Sequence, residues 1–254
     1  MVELSTFNWI LLSMAALGAA VFVALYFVEA GYGYLFNPKY GFPLSNKVGW
    51  ILMEAPAFFV MAWWCTKAQS SQYVELTLAA LYLLHYFQRS FIFPLMMRGK
   101  SKMPAGIALM GLAFNSMNAF LIGCWLFELA PEGYYADWFC DWRFWVGIVI
   151  FFTGMFINMH SDHIVRNLRK PGDTKHYIPY GGAYRYVSSA NYFGELVEWT
   201  GFAIATWSLT GLLFVWWTFA NLAPRSHSLY KRYEREFGEE FTKLKRKRII
   251  PFIY

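Results

Sequence analysis

Residues 143–169 read RFWVGIVIFFTGMFINMHSDHIVRNLR, and this stretch decides the fold class. From Phe144 to Ile157 the side chains are almost all apolar; Asn158, Asp162, Arg166 and Arg169 then follow at intervals of four, four and three residues. That spacing places the four polar groups on one face of a helix. A bilayer core takes about 20 apolar residues per helix, so residues 143–163 read as a membrane span whose helix overshoots on a polar stripe. Working outward, six further stretches have the same character: 8–29, 48–66, 73–94, 104–129, 189–207 and 209–223. The expected fold is an all-α polytopic membrane protein with seven transmembrane helices, forming a single domain over 1–254. The last two stretches are nearly continuous around Ser208-Leu209-Thr210, where one long hydrophobic hairpin is the alternative. Only Glu3 and no basic segment precedes the first stretch, so a retained span is expected rather than a cleaved signal peptide.

Composition agrees. Of 254 residues, 57% are apolar and 15% charged, whereas a soluble domain carries about 25% charged residues. These values exclude a disordered chain, a collagen-like repeat and most ordinary cytosolic enzymes. The net charge is +6, and its position decides what it means. Nine of the 22 Lys and Arg follow residue 222, including Lys245-Arg246-Lys247-Arg248. With no RNA- or DNA-binding motif beside it, this run reads as a flank for lipid headgroups, and no nucleic-acid partner is expected. If the N-terminus is outside and the C-terminus cytoplasmic, the inner segments 30–47, 95–103, 164–188 and the tail hold 19 of the 22 basic residues. The outer loop 130–142 holds Glu132, Asp137 and Asp141 but no Lys or Arg, as positive-inside bias requires. The membrane would be the inner membrane of a bacterium or the endoplasmic reticulum of a eukaryote. Cys65, Cys124 and Cys140 form no CxxC pair, so no disulfide framework or zinc ribbon is expected.

An ionisable group at bilayer depth costs roughly 2.5–3.5 kcal/mol on insertion scales, so each needs a reason. Glu54 lies in the second span; His85, Tyr86 and Arg89 lie in the third. Asn191, Glu195 and Glu198 share one face of the sixth, as Tyr82, Tyr86, Arg89 and Phe93 do on the third. Three helices that turn polar stripes inward imply a hydrated or ligand-filled interior, which suits a polar, anionic cofactor entering from the cytosol and an apolar substrate entering from lipid. Structural alternatives stay open for each group. Glu54 can make a helix–helix hydrogen bond, Tyr86 can pack, Asn158 and Asp162 can join an ion-pair network with the arginines, and Asn191 with Glu195 can bind helices together. GxGxxG, GxxxxGK[ST], GxSxG and HExxH motifs are absent. Of five histidines only His160 and His163 lie close together, so no metal site is expected.

Taken in order, several stretches resemble the steroid 5α-reductases over essentially the whole length. They are Glu54-Ala55-Pro56, His85-Tyr86-Phe87-Gln88-Arg89-Ser90-Phe91, and Gly154-Met155-Phe156-Ile157-Asn158-Met159-His160-Ser161-Asp162. Leu168-Arg169-Lys170-Pro171-Gly172, Ile178-Pro179-Tyr180-Gly181-Gly182, Ser189-Ala190-Asn191-Tyr192-Phe193-Gly194-Glu195, Glu198-Trp199 and Ile249-Ile250-Pro251-Phe252-Ile253-Tyr254 follow. The resemblance implies an oxidoreductase that uses NADPH to reduce the C4–C5 double bond of a 3-oxo-Δ4-steroid such as testosterone or progesterone. In that chemistry hydride goes to C5 and the electrons flow to the C3 oxygen as an enolate. By the same analogy Glu54 and Tyr86 flank the 3-keto oxygen as catalytic residues, Glu54 donating only when it carries its proton. Asn158, Asp162 and Arg169 would hold the adenosine and phosphate part of NADPH, and Asn191 and Glu195 the nicotinamide and its ribose. Arg89, Arg98, His227 and Tyr230 would add cofactor contacts, so that 143–254 is mainly cofactor-binding. Trp50 and Phe114 would line the steroid slot. The enzyme would act as a monomer in contact with membrane lipid.

The pattern departs from the family at Met53, where Gln is usual before the acid, and at Lys100, where Arg is common. His176-Tyr177 replaces a commoner Tyr-Arg pair, and Ser226-His227 a double His. Competing readings are a reductase of another sterol, polyprenol-like or enoyl lipid, a membrane methyltransferase of the isoprenylcysteine type, and a transporter or scaffold. Glu54 with Tyr86 favours reduction over methyl transfer, which needs no enolate stabiliser. A transporter predicts no NADPH binding and a flux that depends on Glu54.

Overall fold

Residue 207 separates the last two apolar stretches. Trp207 takes a left-handed backbone, φ 44°, and Ser208 then caps a new helix, its Oγ accepting from Gly211 N at 3.0 Å. The computed structural model describes residues 2–28, 31, 37–98, 101–168 and 175–254. Its helices are α1 (Leu4–Phe27), α2 (Asn46–Cys65), α3 (Tyr73–Phe87), α4 (Phe93–Met96), α5 (Ala105–Cys124), α6 (Trp142–Asn167), α7 (Ala190–Thr206), α8 (Leu209–Phe237) and α9 (Glu239–Thr242). A π turn, Gln88–Ile92, joins α3 to α4, and another, Trp125–Leu129, prolongs α5. An all-α reading omits one small element. Strands β1 (Pro43–Ser45) and β2 (Lys102–Pro104) pair antiparallel, Leu44 opposite Met103, and tie the start of α2 to that of α5.

Among the described residues, four helical segments are long and apolar enough to cross a membrane: Leu4–Phe27, Asn46–Cys65, Ala105–Leu129 and Trp142–Asn167. The other three expected spans are helical but differ in physical character. The third is interrupted by the π turn, α7 has only 17 residues, and α8 is apolar only in its first half before continuing to Phe237. Helix α1 packs on α8, where Trp216 and Trp217 donate their indole N–H groups to the carbonyls of Ala15 and Met14 at 3.2 and 3.0 Å. Its outer face leaves Trp9, Leu12, Val23 and Phe27 exposed, a surface that suits lipid contact.

Helices α6 and α7 approach at backbone distance. Gly147 and Gly154 of α6 face Ala205 and Glu198 of α7, while Gly194 and Gly201 of α7 face Asn158 and Phe151 of α6. A Cβ on any of these four glycines would meet backbone atoms of the other helix. Small residues at such spacing let helices pack where lipid offers no hydrophobic drive for association. This contact sets the polar stripes of α6 and α7 side by side.

Candidate active site

The two catalytic candidates come from neighbouring helices and are joined through a third. Asn115 of α5 is 5% exposed and donates from Nδ2 to the Met53 carbonyl at 2.7 Å and to Glu54 Oε2 at 3.2 Å. Its Oδ1 accepts from the Tyr86 hydroxyl at 3.0 Å. One turn on, Asn118 Nδ2 donates to the Tyr82 hydroxyl at 3.3 Å, and the rings of Tyr82 and Tyr86 lie 4.6 Å apart. Asn115 and Asn118 were missed among the sequence candidates. Their signal was two amides, three residues apart, inside an apolar stretch, which a survey of ionisable groups passes over. Met53 is buried against Gly111, whose missing side chain leaves room for it.

A second cluster is built on charge. Arg89, carried by the π turn, is 5% exposed and pairs through Nη1 with Asp162 Oδ2 at 2.8 Å and through Nη2 with Glu195 Oε2 at 3.6 Å. Its guanidinium lies over the rings of Phe93 at 4.4 Å and Trp50 at 5.0 Å. Asp162 Oδ1 accepts from Asn191 Nδ2 at 3.1 Å, and Asn158 Nδ2 donates to the Asn191 carbonyl at 3.0 Å. The π turn matters here, because one extra residue per turn changes which side chains face the bundle, a device often found at functional sites. Beside this network His85 Nδ1 meets Glu198 Oε1 at 2.7 Å, with Glu198 fully buried. The polar stripes read from α3, α6 and α7 therefore converge.

Next to Asp162 opens a cavity of about 660 Å³ whose lining includes Lys47, Arg98, Lys102, Arg166 and Arg225. Arg225 Nε donates to the Tyr192 hydroxyl at 2.7 Å. Asn46 Oδ1 and Ser189 Oγ, from two residues of the lining, are buried without a hydrogen-bond partner among the described residues. Buried polar atoms of that kind call for a ligand or water. The donor set, cationic with a few amides and hydroxyls, fits a polyanionic dinucleotide.

Of the remaining sequence candidates, Arg98, Asp162 and Asn191 line the cavity, and Trp50 stacks on Arg89. Phe114 packs on Trp217, ring centres 4.7 Å apart. His227 and Tyr230 lie elsewhere on α8. His227 packs against Tyr26 at 5.5 Å, and burial together with the Arg248 and Lys231 cations pushes its imidazole pKa down. Tyr230 packs on Phe241 at 5.0 Å and under Arg248 at 5.4 Å. Arg169 lies outside the described residues, as do Lys100 and Lys170-Pro171-Gly172. At the cavity wall His176 Nδ1 meets Glu236 Oε1 at 2.8 Å.

The basic tail is more than a headgroup flank. Lys245 and Lys247 are exposed, but Arg246 is buried and donates from Nη1 to the Pro179 carbonyl at 2.7 Å. Arg248 lies over the rings of Tyr230 and Tyr254. Backbone bonds from Ser188 N to Lys247 O, 2.8 Å, and Ser189 N to Arg248 O, 3.0 Å, strap the chain end onto the segment that walls the cavity. The alternation escaped the sequence reading because four consecutive basic residues look alike without a partner strand.

A bundle with apolar membrane-length helices, a carboxyl–phenol cluster held on a buried amide and an adjacent cationic cavity has the makings of a membrane oxidoreductase. A family model described as 3-oxo-5-alpha-steroid 4-dehydrogenase matches residues 101–254. The chain is 39% identical over 243 residues to 3-oxo-5-alpha-steroid 4-dehydrogenase 1 of Bos taurus, covering 94% of this chain and 93% of the relative. It is 40% identical over 215 residues to 3-oxo-5-alpha-steroid 4-dehydrogenase 2 of Homo sapiens, covering 83% and 82%. A steroid 5-alpha-reductase of Arabidopsis thaliana is 35% identical over 255 residues, covering 98% and 97%. The chain belongs to the 3-oxo-5-alpha-steroid 4-dehydrogenase family, the steroid 5-alpha-reductases, and is an oxidoreductase.

Proposed function

We propose that this protein reduces the C4–C5 double bond of a 3-oxo-Δ4-steroid with NADPH, and that Glu54 and Tyr86 polarise the C3 carbonyl. The observation that carries the reading is the Tyr86–Asn115–Glu54 chain, which holds a phenol and a carboxyl on one amide at 3.0 and 3.2 Å. Reduction of the enone pushes electron density onto the C3 oxygen. Hydrogen-bond donors aimed at a developing oxyanion in a water-poor site are usually the largest single catalytic contribution. The Tyr86 hydroxyl and the protonated Glu54 carboxyl are such donors. NADPH, when bound, supplies the hydride for C5. Lys47, Arg98, Lys102 and Arg166 would neutralise its phosphates, with Arg89, itself paired with Glu195, ordering Asp162 at the same wall. The exposed apolar faces of the bundle favour entry of the steroid from lipid.

The wider expectations belong to the same proposal: seven spans with the N-terminus outside, function as a monomer, and a C-terminal half concerned mainly with the cofactor. The inner segments' 19 of 22 basic residues support that orientation. To test the function, purified protein in detergent is incubated with testosterone or progesterone and NADPH and the products are weighed by mass spectrometry. A 5α-reduced product, two hydrogens heavier and absent in Glu54→Gln, establishes reaction and acid together. NADPH binding without product moves the search to other enones, and no NADPH binding overturns the reading.

A further inference from the structure

The side-chain amide of Asn115 has two N–H donors and one carbonyl, and the protein uses all three groups. One donor goes to the Met53 carbonyl at 2.7 Å. This bond fixes the sense of the amide, because a backbone oxygen accepts only from N–H. The second donor reaches Glu54 Oε2 at 3.2 Å, and the carbonyl is left facing the Tyr86 hydroxyl, which has only its proton to offer across that 3.0 Å contact. The Tyr86 proton is thereby aimed by Asn115, and one carboxyl oxygen of Glu54 is claimed by it. Oε1 is left as the carboxyl oxygen that can carry a proton to another acceptor, since Oε2 already receives an N–H.

We propose that Asn115 is the positioning residue of the reduction: an amide on α5 that sets which oxygen of Glu54, and which direction of the Tyr86 O–H, meet the substrate oxygen. The inference rests on the proposed function above. The Asn115 carbonyl is also a stand-in for the substrate. It is an sp² oxygen accepting the same phenol proton that a steroid C3 ketone would accept, so it keeps Tyr86 in its donating rotamer until the ketone arrives. When the ketone takes that proton, the amide still holds Met53 and Glu54, so the carboxyl does not have to be reordered during turnover. Preorganisation of this kind lowers the reorganisation needed when charge develops. Burial raises the stakes, because a half-satisfied polar network in a low-dielectric interior is worse than none.

The test uses the full-length protein and two variants of similar size, Asn115→Leu and Asn115→Asp. In Asn115→Leu kcat should fall about ten- to a hundredfold, the kinetic equivalent of one or two lost hydrogen bonds to reacting groups, with the NADPH KM unchanged. The loss should be much smaller in a Tyr86→Phe background, since residues that act through one another are not additive. Asn115→Asp should lose activity more steeply than wild type as pH rises, because its ionised form has no N–H to give Met53 or Glu54. A readout free of turnover is the pH-difference infrared signal of the Glu54 carboxyl in cofactor-free protein, assigned by its disappearance in Glu54→Gln. This signal should move in Asn115→Leu, which a distant packing defect would not cause. Wild-type kcat in Asn115→Leu, full additivity with Tyr86→Phe, or an unmoved Glu54 signal overturns the inference. If wild type reduces no enone while the infrared signal still moves, the function fails and the positioning of Glu54 stands. Should Asn115→Leu not fold, Asn115→Asp decides, and a pH profile equal to wild type overturns the inference.

Discussion

Two buried polar clusters lie on adjoining faces of the third helix and are built on opposite plans. Tyr86 belongs to one, held by an amide; Arg89, one turn on, belongs to the other, held by charge. The Asn115 amide makes three ordinary hydrogen bonds with no net charge at its centre. The Arg89 guanidinium faces two carboxylates and two aromatic rings at once. A neutral hydrogen bond to an amide changes partners at modest cost, whereas removing one member of a buried ion pair strands the others. The contrast matches the tasks proposed for each: a carbonyl-polarising cluster must change partners in every turnover, and a wall for a polyanion must not move.

The comparison breaks most visibly at its charged half. Arg89→Met should destabilise the protein by about 3–5 kcal/mol by leaving Asp162 and Glu195 without their cation in a buried site. Thermal unfolding in detergent, followed with and without NADPH, measures both this loss and the accompanying loss of cofactor binding. A melting temperature equal to wild type would mean that water, not Arg89, satisfies those acids. At the amide-held half the effect should be kinetic. Glu54→Gln should lower turnover about 10²- to 10³-fold, as loss of one oxyanion-stabilising donor does elsewhere, while NADPH still binds and the fold is unchanged. Tyr86→Phe should act in the same direction. Normal turnover in either variant removes that residue from the catalytic role.

The sequence alone made the charged cluster legible and left the other half-read, for a physical reason. Ionisable residues at helical spacing inside apolar stretches are conspicuous because each is costly, so Arg89, Asp162 and Glu195 stood out on three helices. That they meet follows from the glycines Gly147, Gly154, Gly194 and Gly201, whose close approach no periodicity of polar residues reveals. Asn115 carries no charge and sits one residue from Phe114, so it passed as part of an apolar helix. The boundary of the last two helices was legible only as a place near Ser208-Leu209-Thr210; neither the cap that Ser208 supplies nor the left-handed Trp207 could be read there. The alternating fate of Lys245-Arg246-Lys247-Arg248 depends on a single parallel bridge between Val187 and Lys247, a pairing between residues 60 positions apart.

A residue that the resemblance assigns to the phosphate part of the cofactor should matter less to stability than Arg89, since a contact made only with bound NADPH strands no buried partner when it is lost. Arg169→Ala should raise the NADPH requirement about ten- to a hundredfold, the range of a hydrogen bond to a charged group, and leave the steroid KM alone. Steady-state kinetics with each substrate varied in turn checks this. An effect confined to the steroid would contradict the cofactor role. Raising ionic strength should weaken NADPH binding in the same sense, since the cavity's cations are open to screening, while Arg89 in its buried pair keeps its hold.

The smallest effect is expected where the chemistry is most like that of Arg89 but the setting is not. Asp141 and Arg143 form an ion pair at the N-terminal end of α6, Nη2 to Oδ2 at 2.7 Å and Nε to Oδ1 at 2.9 Å, with the Asp141 carboxyl also accepting from the Arg143 backbone at 2.8 Å. Hydrogen bonds from the Arg143 side chain, then from its backbone, pull the Asp141 carboxyl down to about 2. A carboxyl with a depressed native pKa contributes stability that is present above its ordinary value and lost only as pH falls through the depressed one. Stability from this pair should therefore be flat across neutral pH and fade only in strong acid. Asp141→Asn should leave turnover unchanged and shift the unfolding midpoint by no more than about 2 °C, because a pair only partly withdrawn from solvent contributes little. Arg143 would keep its place over the rings of Trp138 at 4.4 Å and Trp207 at 5.1 Å, contacts that do not depend on the acid. A loss in Asp141→Asn as large as that of Arg89→Met would mean that burial is not what separates the two pairs, and the contrast between the charged and the amide-held cluster would then need another cause.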